Sequence, residues 1–219
     1  MKYQALLFDL DGTLVDSAED MYIASNLMLT DLARPIVSQT MVRQFVGNGI
    51  EMLVKRLLSG DMAVNPYLSA ADIERATSLF FTHYEAVVAE HSALYPHVET
   101  VLAAFAHIPK AVVTNKARRF TLPLLEKMAI ARHFDVVVCG DDGDKKPAPT
   151  PLLSASEQLA VAPKDCLMIG DSKSDLLAAQ AAAMDCLALT YGYHQGKDLR
   201  QYNPQYLCDQ FLDIITTIN

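Results

Sequence analysis

Five short apolar runs punctuate this chain, and each stops at a polar or glycine-bearing step. They are Ala5–Phe8 before Asp9, Ala111–Val113 before Thr114, Val136–Cys139 before Gly140, Leu167–Ile169 before Gly170 and Cys186–Leu189 before Thr190. Uninterrupted runs this short have the length of strands buried on both faces rather than of helices. Segments of helical periodicity lie between them, at Leu122–Met128, Pro151–Ala160 and Ser174–Ala183. Strand alternating with helix predicts an α/β fold, a doubly wound parallel sheet covered on both faces. Ligands of such sheets lie outside the carboxyl ends of the strands, so the residues that end the five runs are expected to converge on one crevice.

Residues from about 17 to 91 break this rhythm. Amphipathic helical patterns cover Glu19–Leu32 and Ile50–Leu58, and Ser69-Ala70-Ala71-Asp72 has the spacing of a capping box. The box leads into Ile73, Ala76, Phe80, Tyr84 and Val87, a stripe at helical spacing. Such a stripe could line a cofactor, but the core of a helix bundle explains it more simply. The expected division is a core made of 1–15 and 96–219, with 16–95 as an all-helical insertion ending near Tyr95-Pro96.

Composition narrows the function. The 219 residues, 51% hydrophobic and 20% charged, suffice for one domain carrying a smaller inserted one. A net charge of −8 argues against a nucleic-acid or anionic-membrane surface, which needs basic patches. Cys139, Cys166, Cys186 and Cys208 lie far apart, and neither they nor the histidines show metal-ligand spacing. They read as buried thiols of a reducing compartment. Asp9 arrives too soon for a signal-peptide core and no run approaches a membrane span, so the expected location is cytoplasmic.

Candidate chemistry sits at the run ends. Phe8-Asp9-Leu10-Asp11-Gly12-Thr13 delivers two carboxylates one residue apart, and Gly12 lets the backbone turn. Alternation along an extended strand end sends Asp9 and Asp11 the same way. Acids that close repel unless a cation neutralises them or one stays protonated, which suits a Mg²⁺ site or a nucleophile beside a general acid. An Asp-Gly turn alone would be the local alternative. The same logic recurs at Gly170-Asp171-Ser172-Lys173-Ser174-Asp175, where Asp171 offers an oxygen ligand and Asp175, one helical turn on, a supporting carboxylate. Helix capping would explain either acid alone, but less readily a second acidic strand end in one chain. Thr114 and Asn115 add uncharged donors past another strand, although they read equally well as a cap. In Lys145-Lys146-Pro147-Ala148-Pro149-Thr150-Pro151 three prolines fix where a lysine points. Lys146, next to the first of them, is preferred over Lys145, a solvated loop being the alternative.

Taken in order, FDLDGTLVDS, VVTNK, KKPAPTPLL and GDSKSD resemble the four motifs of the haloacid dehalogenase (HAD) superfamily, over nearly the whole chain. FVGNG at Phe45–Gly49 and LTYGY at Leu189–Tyr193 are similar to phosphoglycolate phosphatases in particular. His97 and Ala183 depart from that pattern, each standing where a glycine is usual. The resemblance implies an HAD-like Rossmannoid core whose crevice is closed by the helical insertion, acting as a cap domain. It implies a Mg²⁺-dependent phosphatase for a small phosphorylated metabolite, foremost 2-phosphoglycolate. Asp9 would attack phosphorus and Asp11 would act as acid and then base, in agreement with the residue types. Mg²⁺ would be held by Asp9, the backbone carbonyl of Asp11 and Asp171. Thr114, Asn115 and Lys146 would bind the phosphoryl oxygens, and Asp175 would orient the metal shell or Lys146. Arg43, or the backbone amides of Gly47-Asn48-Gly49, would meet an anionic leaving group.

Other readings stay open at this point. Phosphatases for another sugar phosphate, a nucleotide or pyrophosphate share the core. A 2-haloacid dehalogenase needs neither metal nor second acid, so Asp11 and Asp171 speak against it. A phosphonate hydrolase would need a cap lysine for a Schiff base, and Lys55, the single lysine of the insertion, has no neighbours in the sequence that suggest such a role. A phospho-receiver-like signalling module would be shorter, without a cap. The expected assembly is a monomer or homodimer.

Overall fold

A computed structural model describes residues 2–218 of the chain. Six strands form one parallel sheet: β1 (Ala5–Phe8), β4 (Lys110–Val113), β5 (Val136–Val138), β6 (Cys166–Gly170), β7 (Asp185–Leu189) and β8 (Tyr206–Cys208), in the order β5-β4-β1-β6-β7-β8. β1 is central, with Leu7 opposite Ala111 on one side and Phe8 opposite Ile169 on the other. Its side chains alternate between two cores. Leu6 and Phe8 pack with Val112, Ile169 and Leu187, whereas Ala5 and Leu7 pack with Ala111, Val113 and Met168. Both faces are therefore buried, which is why each strand reads as a continuous apolar run.

The strand order places the crevice. From β1 the chain moves to β4 and β5 on one side, and from β6 it moves to β7 and β8 on the other. Loops that leave two neighbouring strands in opposite directions open a gap at their carboxyl ends, here between β1 and β6. Asp9 follows the first of these strands and Asp171 the second.

Helices α1 (Ala18–Asp31), α2 (Gln39–Phe45), α3 (Ile50–Ser59) and α4 (Ala70–Val87) lie between the short strands β2 (Val15–Asp16) and β3 (Ala93–Leu94). The two strands pair antiparallel, Val15 opposite Leu94, where the chain enters and leaves the helical insert. The insert has its own core, including Met28, Phe45, Leu57 and Phe80. Ser69 caps α4 as its spacing predicts, its hydroxyl accepting from the Asp72 amide at 3.0 Å. Ala76, Phe80 and Tyr84 of the predicted stripe are fully buried, with Ile73 and Val87 at its margin, so the stripe is bundle core.

The remaining α-helices, α5 (Val98–Ala104), α6 (Arg118–Lys127), α7 (Thr150–Gln158), α8 (Lys173–Ala181) and α9 (Ile214–Ile218), flank the sheet. All five expected strands are present. The edge strand β8 and the seven-residue helices α2 and α5 were not expected, since elements so short carry too few positions to show a period. All four cysteines are free and buried. No helix among the described residues is long and apolar enough to cross a membrane.

Candidate active site

The acids gather where the topology opens. The Asp9 amide donates to the Ile169 carbonyl at 2.9 Å, which carries the Asp9 carboxyl to the edge of the sheet. Asp171 is buried beside it; its Oδ1 accepts from the Thr13 hydroxyl at 2.7 Å and its Oδ2 from the Tyr193 amide at 2.5 Å. Space for that carboxylate depends on two glycines. A Cβ on Gly12 would stand 2.3 Å from Asp171 Oδ2, and one on Gly192 would stand 2.2 Å from it. Gly12 also has φ +96°, a backbone state that L-residues rarely adopt. One oxygen each of Asp9, Asp171 and Asp175 lies within 4.8 Å of the others.

Lys146 binds this cluster together. Its buried ammonium donates to Asp9 Oδ1 at 2.7 Å, to Asp175 Oδ1 at 2.7 Å and to the Val113 carbonyl at 2.5 Å. Asp175 also closes the first turn of α8, where its Oδ2 accepts from the Ser172 amide at 3.0 Å and the Ser172 hydroxyl at 2.7 Å. Lys145 lies apart, on the wall of a neighbouring groove. Asn115 was expected to offer its side chain to a ligand. Instead its Oδ1 accepts from the Lys146 amide at 2.9 Å and its Nδ2 donates to the Lys146 carbonyl at 2.9 Å. The carboxamide thus braces the backbone of the lysine loop, whose buried polar groups need partners, while the residue still lines the cavity. Thr114 lines the same cavity, its Oγ1 accepting from the Lys116 amide at 3.1 Å.

Asp11 stands across the cavity from this group and pairs with a different lysine. Both its carboxylate oxygens accept from buried Lys116, at 3.0 and 3.1 Å, and Oδ1 also accepts from the Ser17 hydroxyl. Lys116 donates further to the Tyr84 oxygen at 2.6 Å. The Asp11 carboxyl is thus outside the trio of close acids.

Electrostatics follow from burial. Desolvation pushes Asp9 up to about 7, with Asp175 and Asp11 adding to the rise and Lys146 opposing it. Burial likewise holds Asp171 well above the usual carboxylate range, with Asp9 and Asp175 reinforcing it. Burial works against the charge on Lys146 and Lys116, but their paired acids outweigh it and hold both above an ordinary lysine. Burial pushes Tyr84 up to about 12, so it is a neutral phenol at physiological pH.

The cavity, of about 50 Å³, has a polar wall and an apolar one. Asp9, Asp11, Thr114, Lys116, Lys146 and Asp175 come from the sheet side; Met21, Val46, Ile50, Leu53 and Tyr84 come from the helical insert. Gly47 and Gly49 line it too, but Arg43 does not. Arg43 bonds Asp16 at 2.6 Å and lies 5.6 Å from the Tyr193 ring centre, held at the seam between insert and sheet by the nearest carboxylate.

The donor set fits a hard divalent cation. Four acids, Asp9, Asp11, Asp171 and Asp175, face two ammonium groups, Lys116 and Lys146, so acids outnumber cationic side chains by two. Asp175 also caps α8 and pairs with Lys146, which leaves Asp9 and Asp171 as the acids of the trio best placed to hold the cation directly.

The model of the haloacid dehalogenase-like hydrolase family matches residues 6–189. The chain belongs to this family. The hydrolase is 41% identical over 218 residues to a phosphoglycolate phosphatase of Colwellia psychrerythraea, covering 98% of this chain and 96% of that one. It is 40% identical over 215 residues to a phosphoglycolate phosphatase of Nitrosococcus oceani, covering 96% and 94%. A solved structure described as a predicted phosphoglycolate phosphatase from Haemophilus somnus superposes with a TM-score of 0.91 at 29% identity, covering 100% of this chain and 99% of that one. CbbY from Rhodobacter sphaeroides, solved in complex with phosphate, superposes with a TM-score of 0.78 at 27% identity, covering 97% and 96%.

Sequence reading missed three groups of this hydrolase site. Lys116 carried a signal, a lysine three residues past a buried strand, but nothing local says that it turns inward. Tyr84 reads as stripe, and its hydroxyl becomes meaningful only once α4 is docked. Tyr193 lies in the LTYGY stretch; besides holding Asp171, its hydroxyl donates to Asp16 Oδ1 at 2.7 Å and accepts from the Ser17 amide at 3.0 Å.

Proposed function

We propose that the protein is a Mg²⁺-dependent phosphatase that hydrolyses a small phosphate monoester, foremost 2-phosphoglycolate, to an alcohol and phosphate through an aspartyl-phosphate on Asp9. The observation that carries this reading is the placement of two acids with different partners in one cavity: Asp9 against Lys146, Asp11 against Lys116. The phosphoglycolate phosphatases among the relatives support the substrate. Among such esters the apolar wall of the insert, with Met21, Val46, Ile50 and Leu53 close over the acids, favours small leaving groups.

Asp9 attacks phosphorus in line; the Asp9–phosphorus bond forms as the ester oxygen departs with the proton of Asp11. Asp11, now a carboxylate, takes a proton from water. The water oxygen bonds phosphorus, the Asp9 bond breaks and phosphate is released. Lys146 and the Thr114 hydroxyl receive the non-bridging oxygens, and Asn115 holds the Lys146 loop in place. Mg²⁺, held by Asp9, Asp171 and the Asp11 carbonyl, would neutralise the approach of two anions. Residues 16–95 act as a cap whose apolar wall excludes water and whose Gly47 and Gly49 backbone faces the leaving group. A cytoplasmic location is consistent with four free buried thiols.

A panel of small phosphate monoesters assayed with Mg²⁺ and with EDTA tests the reading. Catalytic turnover is expected with Mg²⁺, highest kcat/KM on 2-phosphoglycolate, abolished by EDTA and by Asp9→Asn. A panel with no turnover, or an Asp9→Asn enzyme that keeps it, refutes the chemistry; a better substrate elsewhere in the panel refutes the assignment.

A further inference from the structure

We infer that Tyr84, a residue of the helical insert, is a positioning residue that acts through Lys116 to hold the Asp11 carboxyl in line with the departing oxygen. The inference rests on the role given above to Asp11. An ammonium has three protons, and at Lys116 all are placed: two on the Asp11 oxygens at 3.0 and 3.1 Å, one on the Tyr84 oxygen at 2.6 Å. Lys116 therefore has no donor left for substrate and works by orienting Asp11. Tyr84 is held rigidly, its ring centre 5.4 Å from that of Phe80 and 4.9 Å from that of Phe120. Lys116 lies on the sheet side, just past β4, whereas Tyr84 belongs to α4. The link crosses between the two, so that seating the insert and aligning the acid are one event. Without the tyrosine oxygen the buried ammonium would keep one unsatisfied N–H and would shift off Asp11 to find a partner.

Tyr84→Phe removes the oxygen and keeps the packed ring. The readout is kcat/KM, which reports steps up to departure of the leaving group, compared between 2-phosphoglycolate and p-nitrophenyl phosphate. The nitrophenolate leaves without a proton; glycolate does not. The variant is expected to lose about tenfold or more on 2-phosphoglycolate, the worth of a hydrogen bond to a charged group, and several-fold less than that on p-nitrophenyl phosphate. Equal losses on both esters, or no loss on either, overturn the inference, because damage to packing would not distinguish leaving groups. Asp11→Asn is assayed in parallel. If it shows no leaving-group bias, the assignment of Asp11 fails. If it shows the bias and Tyr84→Phe does not, only the present inference fails. Lys116→Met, checked for folding by thermal melting, is expected to reproduce the bias and contradicts the inference if it does not.

Discussion

At the scale of single residues, partners decide roles. Lys146 spends its three protons on Asp9, Asp175 and the Val113 carbonyl, so its charge stays fixed beside the nucleophile rather than sampling solvent. The sequence preference for Lys146 over Lys145 was legible from the adjacent proline. The use of Asn115 was not, because a carboxamide at a strand end serves a ligand or a neighbouring loop with equal chemistry. His97 and Ala183 carry a further consequence. Both stand where the resemblance leads one to expect glycine, and both adopt left-handed backbone, with φ of 68° and 54°. An L-residue is strained there, whereas glycine is not, although glycine costs more entropy to order. Both sites are exposed, so neither substitution opens a cavity. His97→Gly and Ala183→Gly are each expected to stabilise the fold by about 0.5–1 kcal/mol, read as a higher denaturant midpoint at unchanged slope. A lower midpoint would show that other contacts of the two side chains outweigh the strain.

At the scale of elements, the site is made by the junctions between strands and helices. The long elements were readable from periodicity, since α4 repeats its apolar positions over 18 residues and β1 buries all four of its residues. Short elements such as β8 and α2 were not, because their geometry is imposed by what they pack against. Asp175 illustrates how one residue serves both levels, closing the first turn of α8 and neutralising Lys146. Asp175→Asn keeps a capping oxygen but removes the negative charge. The fold is expected to lose about 1–3 kcal/mol in thermal or chemical unfolding, and Mg²⁺ affinity about tenfold in a titration. A variant with unchanged metal affinity would mean that Asp175 only caps the helix.

At the scale of the whole molecule, burying three acids together has a pH signature. Folding raises Asp9 from 3.8 to about 7 and raises Asp171 in the same direction. The folded state thus binds protons more tightly than the unfolded one. The metal-free fold should lose stability as pH climbs from about 4 toward 7 on account of these groups. A divalent cation competes with those protons and binds the deprotonated acids. The rise in Tm on adding Mg²⁺ is therefore expected to be larger at pH 8 than at pH 5. An equal or smaller rise at pH 8 would place the cation, or the shifted acids, elsewhere.

The residue types and their order along the chain were enough to determine the alternating α/β architecture, the helical insertion and the identity of the acids at the strand ends. These follow from hydrophobic period and from backbone chemistry, both of which act locally. Only the tertiary structure decided which acid meets which lysine, that Arg43 turns to Asp16 instead of the cavity, and that Tyr84 reaches Lys116. Those pairings join residues distant in sequence, and their energy depends on burial and on distances of a few ångströms, quantities that exist only after the insert has packed against the sheet.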